Sequence, residues 1–134
     1  MRAGIDLVHV PCVRASLERF GERYLTRVYT RGEIADAGVD PVRRAERLAA
    51  RFAAKEAAIK AFGLADTGLA WTDLEVCRRP DGGCTLRLHG AALRAARGFD
   101  PGAVALSLTH DGDYAAAVLV VDDRDRPSSE PGAR

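Results

Sequence analysis

The sequence has little of what marks an extracellular, membrane-spanning or nucleotide-loop protein. Its three cysteines, Cys12, Cys77 and Cys84, are odd in number and show no CxxC spacing, which argues against a disulfide framework and against a zinc site. No charged-then-apolar leader opens it, and its longest apolar run, Tyr114 to Val121, is far too short to span a bilayer. There is no GxSxG and no Walker-type glycine-rich loop, which argues against the common hydrolases and P-loop enzymes. An excess of one charge is lacking too. Twenty Lys and Arg against 19 Asp and Glu leave a formal net charge of +1, so nothing global draws the chain to nucleic acid or to an anionic membrane. No repeat occurs at solenoid periods. These absences lead us to expect a cytoplasmic protein.

What is present is one domain's worth of chain. It has 134 residues, 47% hydrophobic and 29% charged, the profile of a soluble globular protein with its own core. Charge is uneven locally: Arg14, Arg19, Arg23, Arg27 and Arg31 recur through the N-terminal third, either as solvated helix faces or as a basic stripe for an acidic partner. Ala3 to Val10 alternates and is rich in Ile and Val, as a strand does. Pro11 suits the start of a helix over Cys12 to Phe20, and a second helical piece covers Glu22 to Tyr29. Thr30 with Glu33 forms a capping box for a short helix that Gly38 ends. Asp40-Pro41 opens a long helix that runs to about Phe62 and stops at Gly63.

Beyond a glycine-containing loop, Trp71 to Arg78 and Thr85 to His89 read as strands about the turn Pro80-Asp81-Gly82-Gly83. Ala91 to Arg97 is a short helix, and Val104 to His110 pairs with Tyr114 to Asp122 as a hairpin around Asp111-Gly112. The polar tail 123–134 is expected to be disordered, leaving 1–122 as the folded domain. The fold class is α+β, antiparallel strands packed on one long helix.

The long helix carries the most information. Its segment Arg51-Phe52-Ala53-Ala54-Lys55-Glu56-Ala57-Ala58-Ile59-Lys60-Ala61-Phe62 is rich in Ala, and residues four apart place Phe52, Glu56 and Lys60 in one column. A carboxylate and an ammonium on a helix of small residues point to a metal ion and a phosphate. Asp6 stands in the apolar strand Gly4-Ile5-Asp6-Leu7-Val8, where a carboxylate is costly unless paired. It is either a cap or ion-pair partner, or a hard-cation ligand with Glu56 as the second carboxylate; two carboxylates with water and phosphate oxygens is the usual arrangement for magnesium. Lys60 either pairs with Glu56 or neutralises phosphate beside the metal. Arg51 and Lys55 point to other faces, toward phosphate or solvent. His110 shares the apolar face of its strand with Val104, Leu106 and Leu108. It is either a satisfied core histidine or, with Asp111 beside it at the lip of a turn, a proton-transfer or phosphate-binding group.

Three segments in order, Gly4-Ile5-Asp6-Leu7-Val8, Arg51-Phe52-Ala53-Ala54-Lys55-Glu56-Ala57 and Ser107-Leu108-Thr109-His110, resemble those of holo-acyl-carrier-protein synthases, the small members of the 4′-phosphopantetheinyl transferase superfamily. Tyr29-Thr30 with Glu33, Trp71 to Val76, and Leu86 to Ala91 are similar as well, so the resemblance spans residues 3 to 122. It implies transfer of 4′-phosphopantetheine from coenzyme A to a serine hydroxyl of an apo acyl carrier protein. Asp6 and Glu56 would be the magnesium ligands and Lys60 the pyrophosphate lysine. His110 would position coenzyme A, with Arg51 and Lys55 near its phosphates. The serine proton would go to a metal-bound water, to Glu56 or to Asp111. The resemblance also implies a homotrimer with clefts between subunits, and an acidic carrier docking on Arg14, Arg19, Arg23 and Arg27. The carrier's pathway, whether of fatty acids, polyketides or peptides, is left open.

The chain departs from the family at two places: His9 and Cys12 stand where relatives commonly have Glu and the arginine that grips the carrier. The chemistry is therefore expected to survive and carrier choice to differ. Two other readings remain open: a binding relative without activity, and a magnesium-dependent hydrolase that cleaves the pyrophosphate with water.

Overall fold

The computed structural model describes residues 1–123. The described elements are, in chain order, β1 (Arg2–His9), α1 (Val10–Phe20), α2 (Glu22–Val28), α3 (Arg31–Ala37), α4 (Pro41–Phe62), β2 (Leu74–Arg78), β3 (Cys84–Leu88), α5 (Gly90–Ala95), β4 (Val104–Asp111) and β5 (Tyr114–Val121). One antiparallel sheet has the strand order β1-β5-β4-β3-β2, and α4 lies against it, so the α+β class expected from the sequence is what forms. The expected disorder of the tail falls on residues 124–134, outside the described residues. Among the described residues no helix is long and apolar enough to cross a membrane.

Local chemistry accounts for most boundaries. Asp40 accepts from the backbone N–H groups of Val42 and Arg43, with Pro41 in the first turn, and Gly63 closes the helix in the left-handed region at φ 68°. Thr30 and Glu33 form the expected capping box on α3. One element differs. Trp71–Asp73 is a 3-10 turn rather than the start of a strand, because the Asp73 carboxylate accepts from the Ala70 N–H at 3.1 Å and holds the chain in a local bend.

Small residues let α4 settle deep on the sheet. Ala53, Ala54, Ala57, Ala58 and Ala61 are buried, and at Gly4 of β1 the strand and helix backbones touch: a methyl group there would lie 1.9 Å from the Ala57 carbonyl oxygen. Glycine inside a strand is costly by propensity and is retained where another backbone approaches closely.

The other side of α4 is held by a buried polar network. Lys55 donates to Glu33 Oε1 at 2.7 Å and to the backbone carbonyls of Val28 and Trp71, and Glu33 also accepts from the backbone N–H groups of Thr30 and Val76. One carboxylate thus ties α3, α4 and β2 together. Burial pulls the Lys55 ammonium below its ordinary range, and the Glu33 charge pushes it back up. From Thr30 the network continues outward to Glu75 at 2.6 Å and on to His89 at 3.0 Å.

Lys55→Met is expected to lower stability by about 3–5 kcal/mol in urea unfolding, since Glu33 is left buried without its cation. Glu33→Gln combined with Lys55→Met should recover part of that loss; equal losses in the single and double variants would show that the pair is not coupled. Gly4→Ala is expected to cost about 3 kcal/mol by the same measurement, and a variant as stable as the parent would contradict the Gly4–Ala57 contact.

Candidate active site

The contact at Gly4 decides what meets beside it. Arg2 lies by Gly63 at the end of α4, Gly4 against Ala57, and Ile5 by Lys60, so β1 runs antiparallel to the helix. Asp6, two residues beyond Gly4 on the same strand face, therefore arrives beside Glu56 and Lys60. Lys60 Nζ donates to the Ile5 carbonyl at 2.9 Å and to Asp6 Oδ1 at 3.3 Å. Burial, and after it the neighbouring Asp6 charge, raise the Glu56 carboxyl above its ordinary range, while Lys60 pulls it back. Asp6 and Glu56, fifty residues apart in sequence, are near enough for their charges to interact, and Lys60 bridges to Asp6 rather than only serving its own helix.

This donor set fits a hard divalent cation. Two carboxylates repel each other in a half-buried site that a cation would relieve, and their oxygens are of the type magnesium takes. Among the described residues no group of three or more His, Cys, Asp or Glu side chains is placed to hold a metal. A cage made of protein alone is absent there, and the remaining positions would fall to water and to substrate oxygens.

The other candidates separate. Lys55 is fully buried with three acceptors on its ammonium, so the structure corrects its placement near phosphate: it is part of the core network. Arg51 is also buried rather than facing solvent. Its Nη1 donates to the Arg47 carbonyl at 3.1 Å, and its Nε has no partner, as is true of Arg44 Nε. A buried guanidinium with an unused donor is a suitable contact for an anion. His110 lies on the face of β4 turned toward α4, with Nδ1 3.8 Å from Glu46 Oε2. It is level with Val8 of β1, two strands away. That offset is roughly 10 Å across the sheet and roughly 7 Å along it from Asp6, so one chain does not bring His110 into the Asp6 cluster. Asp111 is exposed in the row His9–Tyr114–Asp111 on the opposite sheet face, and the structure does not bring it to Asp6 and Glu56 either.

Arg19, Arg23, Arg27 and Arg31 are exposed along α1 to α3, and Arg14 is half-buried. Phe20, Arg23, Tyr24 and Arg27 line a shallow apolar groove of about 230 Å³, and the Arg19 guanidinium sits 5.1 Å from the centre of the Phe20 ring. His9 and Cys12 touch, Nδ1 to Sγ 3.4 Å, at the exposed start of α1, with the His9 ring 5.3 Å from that of Tyr114. Two residues that shape the site escaped sequence reasoning. Gly4 carried a signal, a glycine at an inward strand position. Glu46 carried none, since only tertiary contact relates it to His110.

The family profile described as the 4′-phosphopantetheinyl transferase superfamily matches residues 2–119. A holo-[acyl-carrier-protein] synthase of Koribacter versatilis is 44% identical over 90% of this chain and 96% of its own, and that of a Methylobacterium species is 45% identical over 89% and 91%. Among solved structures, the coenzyme A complex of the Chronobacterium ammoniagenes synthase aligns with a TM-score of 0.75 at 32% identity, covering 90% of this chain and 97% of that one. The Helicobacter pylori holo-[acyl-carrier-protein] synthase in complex with coenzyme A gives 0.77 at 25% identity over 90% and 99%. With the profile spanning nearly all described residues and relatives this similar along their full length, the chain belongs to the 4′-phosphopantetheinyl transferase superfamily, among its holo-[acyl-carrier-protein] synthases.

Proposed function

We propose that this chain transfers the 4′-phosphopantetheine arm of coenzyme A to a serine hydroxyl of an apo acyl carrier protein, releasing adenosine 3′,5′-bisphosphate. The meeting of Asp6, Lys60 and Glu56 on touching elements, in a chain this similar to holo-[acyl-carrier-protein] synthases, carries the proposal. Asp6 and Glu56 would hold a magnesium ion, which would supply positive charge for phosphate oxygens of the substrate. Lys60, half-exposed and anchored on the Ile5 carbonyl, presents its ammonium to the same oxygens without needing to reorganise. Glu56 lies in the cluster with Asp6 and Lys60, and Asp111 does not, so Glu56 rather than Asp111 is placed to take up the serine proton. Arg51 and His110 would hold phosphate of coenzyme A. The whole activity is assigned to residues 1–122, in the cytoplasm.

The distance between His110 and the Asp6 cluster supports a site completed by a second subunit. So does the outward face of the sheet, where Ile5 is 67% exposed, Leu7 64% and Val118 39%, an apolar row with no partner in one chain. We place the interfaces of a homotrimer there. The carrier, acidic by this reading, would dock on Arg14, Arg19, Arg23 and Arg27, with the groove beside Phe20 receiving an apolar side chain.

Incubation with coenzyme A, magnesium and an apo carrier is expected to add one phosphopantetheine unit to the carrier mass. Bisphosphate release without mass gain would instead indicate a hydrolase, and neither event a binding relative. Asp6→Ala and Glu56→Ala should each cut turnover by about a hundredfold or more while circular dichroism stays unchanged; parental rates in either would refute the metal assignment. Cys12→Arg should change the KM ranking of different apo carriers and leave coenzyme A affinity alone. A change confined to coenzyme A affinity would remove the α1 start from the docking surface.

A further inference from the structure

The sheet is incomplete between β3 and β4. Their paired register consists of a single rung, Cys84 with Leu106. The hydrogen bonds Arg79 N–H to Gly83 O and His89 N–H to Asp73 O fix which residues of β3 bond to β2: those level with them by twos, Thr85 and Arg87. Cys84, Leu86 and Leu88 therefore turn their backbone N–H and C=O groups the other way, toward β4. On β4, the bond from Asp122 N–H to Ala103 O sets the alternation, so that Val104 and Leu106 face β3. The next rung would join Leu86 to Val104, and it lies outside the paired register.

A cavity of about 340 Å³ occupies that opening. Thr85, Leu86, Arg87 and Leu88 all line it. Successive side chains of a strand point to opposite faces, so four consecutive residues can line one cavity only along the strand's edge, where the backbone groups are. The other walls are mostly apolar, with Asp100 the one charged residue among them: Phe62 from the end of α4, Leu93 and Ala96 from the α5 region, Val104, and Phe99, whose ring meets that of Phe62 edge-on at 4.9 Å. At 3.6 residues per turn Phe62 points about 120° away from Glu56 and about 160° away from Lys60, so this cavity is separate from the Asp6 cluster.

An apolar slot floored by backbone donors and acceptors selects a slender chain that carries amides. A plain hydrocarbon would offer no partner to the backbone groups along that edge of β3, and a compact polar ligand would not fill the walls. We propose that this cavity is a second binding site for a pantetheine arm, whose two amides would continue the interrupted ladder while its dimethyl and methylene groups lie against Phe62, Leu93 and Phe99. The inference rests on the transferase reading above, which makes that arm a group the chain handles. Two molecules would carry it: coenzyme A and the holo carrier.

The test is a titration of the full-length ¹⁵N-labelled chain with pantetheine, which lacks the nucleotide. The Leu86 and Leu88 amide resonances are expected to shift. Leu93→Glu, at a position 55% exposed and so tolerant of charge, should weaken binding about tenfold by placing a carboxylate at the mouth. Saturating adenosine 3′,5′-bisphosphate should leave pantetheine affinity unchanged. Absence of shifts at Leu86 and Leu88, equal binding by Leu93→Glu, or displacement by the bisphosphate would each overturn the proposal. Parallel titrations identify the source: shifts with coenzyme A mark the substrate, shifts with holo but not apo carrier mark the product, and shifts with neither overturn the second site. Transfer activity of the parent chain, measured separately, reports on the transferase reading alone.

Discussion

The backbone contact between Gly4 and Ala57 is the constraint on which the rest of the site depends. It allows a 22-residue helix to lie on the sheet with mainly alanines between, and it sets the register of β1 along that helix. Once the register is set, Asp6 has little choice of neighbours. It faces Glu56 and Lys60, and the Lys60 ammonium is held by the backbone of the same strand that carries Asp6. A larger residue at position 4 would lift the strand from the helix and separate two carboxylates whose value lies in their proximity.

The helix is gripped from its other side by Glu33. This carboxylate caps α3, accepts from Lys55 and accepts from the backbone of β2, so three elements share one buried charge. Removing any member leaves another uncompensated in a medium of low polarity. The motif spanning Arg51 to Ala57 therefore divides its labour. Glu56 points to Asp6 and Lys60, Lys55 anchors the helix that carries it, and Arg51 is buried between, with a donor still unused.

The helical half of the fold was legible in the sequence because its signals are local. Thr30 with Glu33, Asp40-Pro41 and Gly63 each act within one turn of the chain, and the structure places the ends of α3 and α4 at them. The hairpin of β4 and β5 was legible for the same reason, its turn being formed by Gly112 in the left-handed region. The start of β2 was not, because the Asp73 bend competes with strand propensity through a single side-chain bond. The break between β3 and β4 was invisible as well. It is a property of how the two strands lie relative to each other, and no residue in either strand announces it.

By itself the sequence determined which residues were available for chemistry: a carboxylate in an apolar strand, a second on an alanine-rich helix, and a lysine one turn on. It also determined family membership through their order. Tertiary structure alone decided which of these meet. Asp6 and Glu56 come together because helix and strand touch at glycine, whereas Lys55, adjacent to Glu56 in sequence, is turned by the helical period into the core. His110 and Asp111, adjacent in sequence, fall on opposite faces of the sheet because side chains of a strand alternate. Neighbours along the chain were separated and distant residues joined for one reason: the directions of side chains are fixed by secondary structure, but the partners they reach are fixed only by packing.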